Sequence, residues 1–188
     1  MKRIIITGLA VIFTVAAFAQ EQELSKKEQR QLQKQLKKEQ QQEELAQKAA
    51  LVALMMEHHA FVLEADRLMD KRGNMANVPS TLNFVAADSV RGVIQIGSHS
   101  YVGMNGVGGI TVEGDLANYS YTRNEKNGTY SVSYNVRSSV GNYDVRMTVF
   151  SDSRAEATVS SNWPGRVSYS GYLVPPGASR VWEGTTRF

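Results

Sequence analysis

The chain has 188 residues, a formal net charge of +3 and no cysteine. That length suits one ordinary domain with extensions, and the missing cysteines exclude disulfides, thiol catalysis and cysteine-ligated metal sites. Lys2 and Arg3 carry two of the three net charges. From residue 49 onward twelve basic residues face twelve acidic ones, so a pI near 9.1 gives no reason to expect a nucleic-acid partner.

Residues 1–19 read as a signal peptide. Lys2 and Arg3 form a basic start, residues 4–18 are apolar apart from Thr7, Gly8 and Thr14, and Ala17-Phe18-Ala19 supplies the small-x-small pattern. Cleavage is expected between Ala19 and Gln20, giving an exported chain, periplasmic or extracellular. The run falls short of the roughly 20 apolar residues of a membrane span, so no integral span is expected after cleavage. No cysteine near the site is available for a lipoprotein anchor.

Residues 20–48 consist largely of Gln, Glu, Lys and Leu, all good helix formers. Ser25 with Glu28 resembles a capping box, and Glu44 with Lys48 forms a favourable i,i+4 pair. Heptads are not sustained, so the segment reads as a helical spacer rather than a stable coiled coil. From residue 45 the pattern becomes amphipathic. Leu51, Met55, His58, Val62, Ala65 and Met69 fall on one stripe, predicting a helix that ends near Arg72 with Gly73 as its C-cap. On that reading His58 is packed in the core, and Glu64, Asp66 and Asp70 are helix-surface carboxylates salt-bridged to neighbouring basic residues.

Beyond Pro79 the period changes to two. Residues 82–86 and 90–96 are strand candidates around an Asp88-Ser89 turn. A glycine-rich stretch, residues 101–109, then leads into Ile110 and Val112. It lacks the strand-to-helix setting of a phosphate loop and is expected to be a mobile loop over one end of the sheet. Tyr119 and Tyr121 alternate with Ser120 and Thr122. Asn127-Gly128 signals a hairpin with a type I′ turn. Tyr130, Val132, Tyr134 and Val136 then alternate with small polar residues without a fault, and Tyr143 to Val149, Ala155 to Val159 and Val167 to Leu173 repeat the pattern. The expected fold is mainly β (α+β). About eight antiparallel strands form a meander, closed into a barrel or strongly curved, with an N-terminal amphipathic helix packed against it. The domain is expected over residues 49–177, followed by a polar, weakly ordered tail over residues 178–188. Buried tyrosine hydroxyls need partners or water, so Tyr121, Tyr130 and Tyr134 should reach a polar rim or line a hydrated interior.

From Phe61 the sequence resembles the DUF4251 family of exported Bacteroidetes proteins. The residues that carry the resemblance are Phe61-Val62-Leu63-Glu64-Ala65-Asp66-Arg67, the glycine-rich loop after Tyr101, Asn118-Tyr119, and Arg166-Val167-Ser168-Tyr169-Ser170-Gly171. This chain departs in a shorter glycine loop and in its long Gln/Lys/Glu helix. The resemblance implies an exported, mostly β domain of the envelope and brings no active site with it.

No catalytic, cofactor-binding or metal motif emerges. Three scattered histidines, His58, His59 and His99, make a poor metal set, and no Gly-x-Ser-x-Gly elbow is present. Glu113 and Asp115 flank a glycine at a strand end and read as a solvated turn. Asp88-Ser89-Val90 resembles an O-glycosylation acceptor, which leaves Ser89 as a candidate modification site. The candidate recognition surface is Tyr101, Trp163, Arg166 and Tyr169, because aromatics and Arg dominate binding hot spots. The function expected is a non-catalytic envelope domain that binds a protein or small ligand. The alternatives are a hydrolase with a loop-assembled site and a structural spacer module.

Overall fold

The structure, a computed structural model, describes residues 26–99, 105–161 and 165–185. It falls into two compact units, residues 1–42 and 43–188. Helix α1 runs from Lys26 to His58. Its residues 27–48 are all exposed, and Lys48 pairs with Glu44 at 3.4 Å. Its last turns present Val52, Met55 and Met56 to the core of the second unit.

Nine strands follow: β1 (Ala60–Met69), β2 (Met75–Asn77), β3 (Phe84–Asp88), β4 (Arg91–Ile96), β5 (Ile110–Asn124), β6 (Thr129–Ser138), β7 (Gly141–Val149), β8 (Arg154–Ser161) and β9 (Arg166–Val174). Each pairs antiparallel with its neighbour in the order β2-β1-β3-β4-β5-β6-β7-β8-β9. Pairing of β1 with β9 then closes eight of them into a barrel.

The barrel interior is filled by one side-chain set from each of the eight barrel strands. Phe61, Leu63, Val85, Ile94, Val112, Val132, Val136, Val145, Val149, Ala157 and Leu173 are among them. Eight strands enclose only enough room for side chains, so such a barrel is a packed core. On the outer side Val62, Phe84 and Val93 form a smaller cluster with Val174 and Val181.

The helix predicted through Arg72 ends instead at His58, and residues 60–69 are a strand. His59 takes a left-handed φ of 52°, which stops the helix. The segment is apolar on both faces. Phe61, Leu63 and Ala65 point into the barrel while Val62 joins the outer cluster, a pattern that helix and strand share over a short run. Pairing with both β3 and β9 decides for the strand. Two further readings fall with the helix. His58 is exposed, as is Leu51, and Val52 and Met56 take the buried positions. Glu64 accepts hydrogen bonds from Ser179 Oγ and Arg180 N, both at 2.8 Å. Asp70 takes Asn74 and Arg72 as donors, and the Asn74 amide is the main influence holding its pKa below the usual carboxylate value.

Two bulges reset the inward alternation. In β1 the register shifts between Ala65 and Arg67, so the inward row 61, 63, 65 continues at Leu68. In β5 it shifts between Ala117 and Ser120, with Asn118 at φ 54°. The inward row 112, 116 therefore continues at Tyr119. What reads as two short segments is one strand of 15 residues. The Asn127-Gly128 hairpin is present with a four-residue turn. Gly128 has a φ of 68°, Asn127 is not in the positive-φ region, and Gly128 N donates to Asn124 O at 2.8 Å. A type I′ turn would need both residues at positive φ.

The chain after β9 makes defined contacts over residues 178–185. Trp182 N donates to Thr81 O at 2.8 Å, and Glu183 pairs with Arg91, which also pairs with Glu113.

Gly171 lies opposite the β1 bulge. A Cβ there would collide with the Glu64 carbonyl and the Ala65 backbone, which cannot move without opening the seam. Gly171→Ala is expected to cost about 1–3 kcal/mol in urea unfolding. Gly177→Ala, in open space, should stay within about 0.5 kcal/mol.

Candidate functional site

Strand direction assigns the barrel two ends. At one, α1 delivers Met55 and Met56 to the core and meets the β3–β4 turn and the bulge of β5. The Tyr119 hydroxyl donates to Met56 O at 3.2 Å, Ser89 Oγ donates to His58 O at 3.1 Å, and Ser89 N donates to His59 O at 3.0 Å. These bonds satisfy carbonyls that every helix C-terminus leaves open. The His59 ring stacks on Tyr119 with centroids 3.9 Å apart. This end is plugged. Ser89 is exposed there with a φ of 45°.

The opposite end holds the β4–β5, β6–β7 and β8–β9 connections. Between β4–β5 on one side and β7–β9 on the other lies a cavity of about 190 Å³. Ile94, Ile96, Ile110 and Val112 form one wall; Tyr143, Val159, Val167 and Tyr169 form the other, with Ser160, Ser161 and Gly165 at the rim. Ile110 is 64% exposed although it lies on the inward-facing row of β5. An isoleucine exposed in this way loses the burial that stabilises its neighbours, about 25 cal/mol per Å², unless something covers it.

Of the four residues singled out from sequence, Tyr169 belongs to this site. It is 1% exposed and points inward, and burial pushes its phenol above the usual value of 10. Arg166 is three residues away on the same strand and therefore faces outward, exposed, opposite Ser160. Tyr101 and Trp163 fall outside the described residues. Sequence reasoning missed Ile96, Ile110 and Val159, which meet only because the sheet closes.

A buried amide network supports the β4–β5 side. Gln95 is fully buried. Its Nε2 donates to Leu82 O at 3.1 Å and Trp182 O at 2.8 Å, and its Oε1 accepts from Thr111 Oγ1 at 2.8 Å and Gly184 N at 2.7 Å. Asn105 donates to Thr111 Oγ1 at 3.0 Å and accepts from Val107 N and Gly109 N. Asn83 bridges both backbone groups of Gly97. Three amides thus fix the start and finish of the glycine-rich connection and tie the C-terminal segment to β4.

The tyrosines divide. Tyr130 and Tyr134 are buried, and Tyr121 is 42% exposed. Tyr134 Oη has no hydrogen-bond partner among the described residues. Burial, with a smaller contribution from Tyr119, pushes its phenol well above 10. Burial also raises Tyr119, with Tyr121 adding a smaller effect. Among the described residues, no group of three or more His, Asp or Glu side chains is placed to hold a metal. The described cavity lining offers only phenols as ionisable groups.

These features define an eight-stranded antiparallel barrel with one end closed by a helix and an apolar hollow at the other. The DUF4251 model, a domain of unknown function, matches residues 38–173. The chain belongs to the DUF4251 family. It is similar to a crystal structure of a DUF4251 family protein from Bacteroides eggerthii DSM 20697, with 27% identity and a TM-score of 0.59, over 70% of this chain and 90% of that one. No curated protein matches the chain. No helix among the described residues is long and apolar enough to cross a membrane.

Replacing Gln95 by Leu leaves Thr111, Gly184 N and two carbonyls without their partner. Gln95→Leu is expected to cost about 2–4 kcal/mol and to open the chain after Val174 to limited proteolysis. The raised phenols give a second expectation. The native state holds these protons more tightly than the unfolded chain does, so their contribution is complete below pH 10 and is lost as pH rises beyond it. Absorbance titration at 295 nm should show Tyr134 and Tyr169 ionising only with unfolding. Tyr134→Phe should cost nothing, or stabilise by up to about 1 kcal/mol, because it removes an unpartnered hydroxyl.

Proposed function

We propose that the chain is a non-catalytic, exported domain of the cell envelope that captures a small apolar group in the mouth of its barrel. The cavity at the unplugged end carries this reading. It is apolar, it leaves Ile110 uncovered, and its polar rim is limited to hydroxyls and backbone. An apolar cavity of about 150 Å³ accepts a benzene ring. At about 190 Å³ this one suits a ring or a short branched alkyl group, presented by a larger molecule or free.

Export is supported by the basic start at Lys2 and Arg3, the apolar run and the Ala19–Gln20 cleavage pattern. Residues 20–48 then serve as a spacer, with residues 49–177 as the binding domain. The uninterrupted exposure of residues 27–48 favours the spacer role.

The test is an amide-resolved NMR titration of the exported chain with toluene and with hexanoate. Perturbations centred on Ile96, Ile110, Val159 and Val167 are expected, and Val167→Trp, which fills the hollow, should abolish them while preserving the spectrum of the fold. Perturbations elsewhere, or none with either probe, would contradict the proposal.

A further inference from the structure

The outer face of the barrel carries a second feature, chemically unlike the mouth. Cross-strand register sets its side chains in two rows. One runs Thr122, Ser131, Thr148, Glu156, Ser170 and Arg67 from β5 round to β1. The other runs Ser120, Ser133, Arg146, Thr158 and Ser168. Two grooves of about 440 and 220 Å³ follow these rows and share Glu156. Six strands at a spacing of about 4.8 Å span roughly 24 Å, so the combined groove is long and narrow. Phe150 and Tyr172 border the second groove, 36% and 53% exposed, whereas Tyr121 turns its ring to the barrel side, against Tyr119 and Tyr130.

The composition of this face is as informative as its shape. Residues 129–188 contain no lysine. A face built for solubility alone carries Lys and Glu in quantity, and such side chains lose about 1.5–2 kcal/mol of rotamer entropy when a ligand immobilises them. Ser, Thr, Tyr and Arg, which lose less or gain more per contact, dominate recognition surfaces. Arg146 and Glu156 lie one register step apart on adjacent strands, yet among the described residues neither side chain makes an ion pair or hydrogen bond. The hydroxyls of Ser120 and Ser133 bond each other at 2.9 Å, and those of Thr158 and Ser168 at 3.2 Å. Each hydroxyl keeps unused acceptor capacity.

We propose that this face binds a linear, uncharged carbohydrate chain. Sugar hydroxyls exchange hydrogen bonds with the Ser and Thr rows, with the Arg146 guanidinium and with the Glu156 carboxylate. The C–H faces of the sugar rings lie against Phe150 and Tyr172. An extended peptide needs an open strand edge or apolar side-chain pockets. From β6 to β9 both edges of every strand are taken up in the sheet, and the floor is hydroxyl-rich. A polyanion needs uncompensated positive charge, whereas Arg67 and Arg146 are matched in the grooves by Asp66 and Glu156 and Arg154 pairs with Asp152 at 2.7 Å.

The test is an amide-resolved NMR titration of the exported chain with cellohexaose, maltohexaose and chitohexaose, with tetraglycine as the peptide arm. At least one hexasaccharide should perturb Ser131, Arg146, Thr148, Glu156 and Ser170 together. Arg146→Ala and Tyr172→Ala should each weaken that binding about tenfold or more, with the rest of the spectrum unchanged. The mouth-filling Val167→Trp should leave it intact, so this proposal and the mouth proposal fail separately. Perturbation by none of the sugars, perturbation of this face by tetraglycine alone, or equal affinity in the Arg146→Ala and Tyr172→Ala variants would overturn it.

Discussion

Closure of the sheet through β1 and β9 is the constraint on which the rest depends. An open meander of this length would leave two edges unpaired and one face unburied. Seven registered residue pairs in that seam, from Val62 with Val174 to Met69 with Ser168, remove both problems. The seam also explains Gly171, which lets β9 pass the bulge in β1 without a side chain in the way. The same closure brings residues from β4, β5, β7, β8 and β9 around one hollow.

Closure leaves two ends, and the chain treats them differently. At one end the last turns of α1 supply methionines to the core, while Ser89 and Tyr119 satisfy the helix carbonyls. Methionine is unbranched and adapts to irregular gaps, which suits a plug. At the other end no helix lies among the described residues; amides hold the connections. Gln95 reaches four partners on three separate segments. A buried amide is stable only when fully satisfied, so the network fixes its loops in place or fails as a unit. The hollow is bordered by a wall rigidified in this way.

The strands from β6 to β9 were legible because each has one dry face and one wet one. Tyr130 to Val136 shows the period without interruption, and its small polar positions became the outer rows. The turn at Asp88-Ser89 and the Glu44–Lys48 pair were legible for similarly local reasons. β1 was not. Leu63, Ala65, Leu68 and Met69 are good helix formers, and apolar residues on both faces hide a period of two. A run of Ala60-Phe61-Val62-Leu63 does fit a strand buried on both sides, and that was the available signal. The bulge at Asn118 reversed the parity of β5, so its two halves looked like separate elements. Gln95, Asn105 and Thr111 carried no signal, since their partners lie up to 89 positions away. The site followed the same logic. Tyr169 was visible as an aromatic on an inward row, but Ile110 is informative only for its exposure, which sequence does not contain.

The central claim is that residues 60–69 are a strand that closes the barrel rather than the end of a helix. Native-state hydrogen exchange followed residue by residue tests it most directly. Closure predicts that the amides of Glu64 and Tyr172, which face each other across the seam, are protected as strongly as those of Val132 and Val145 in the middle of the sheet, and are lost only with global unfolding. Exchange of the seam amides by local opening, at rates well above those of β6 and β7, would contradict it.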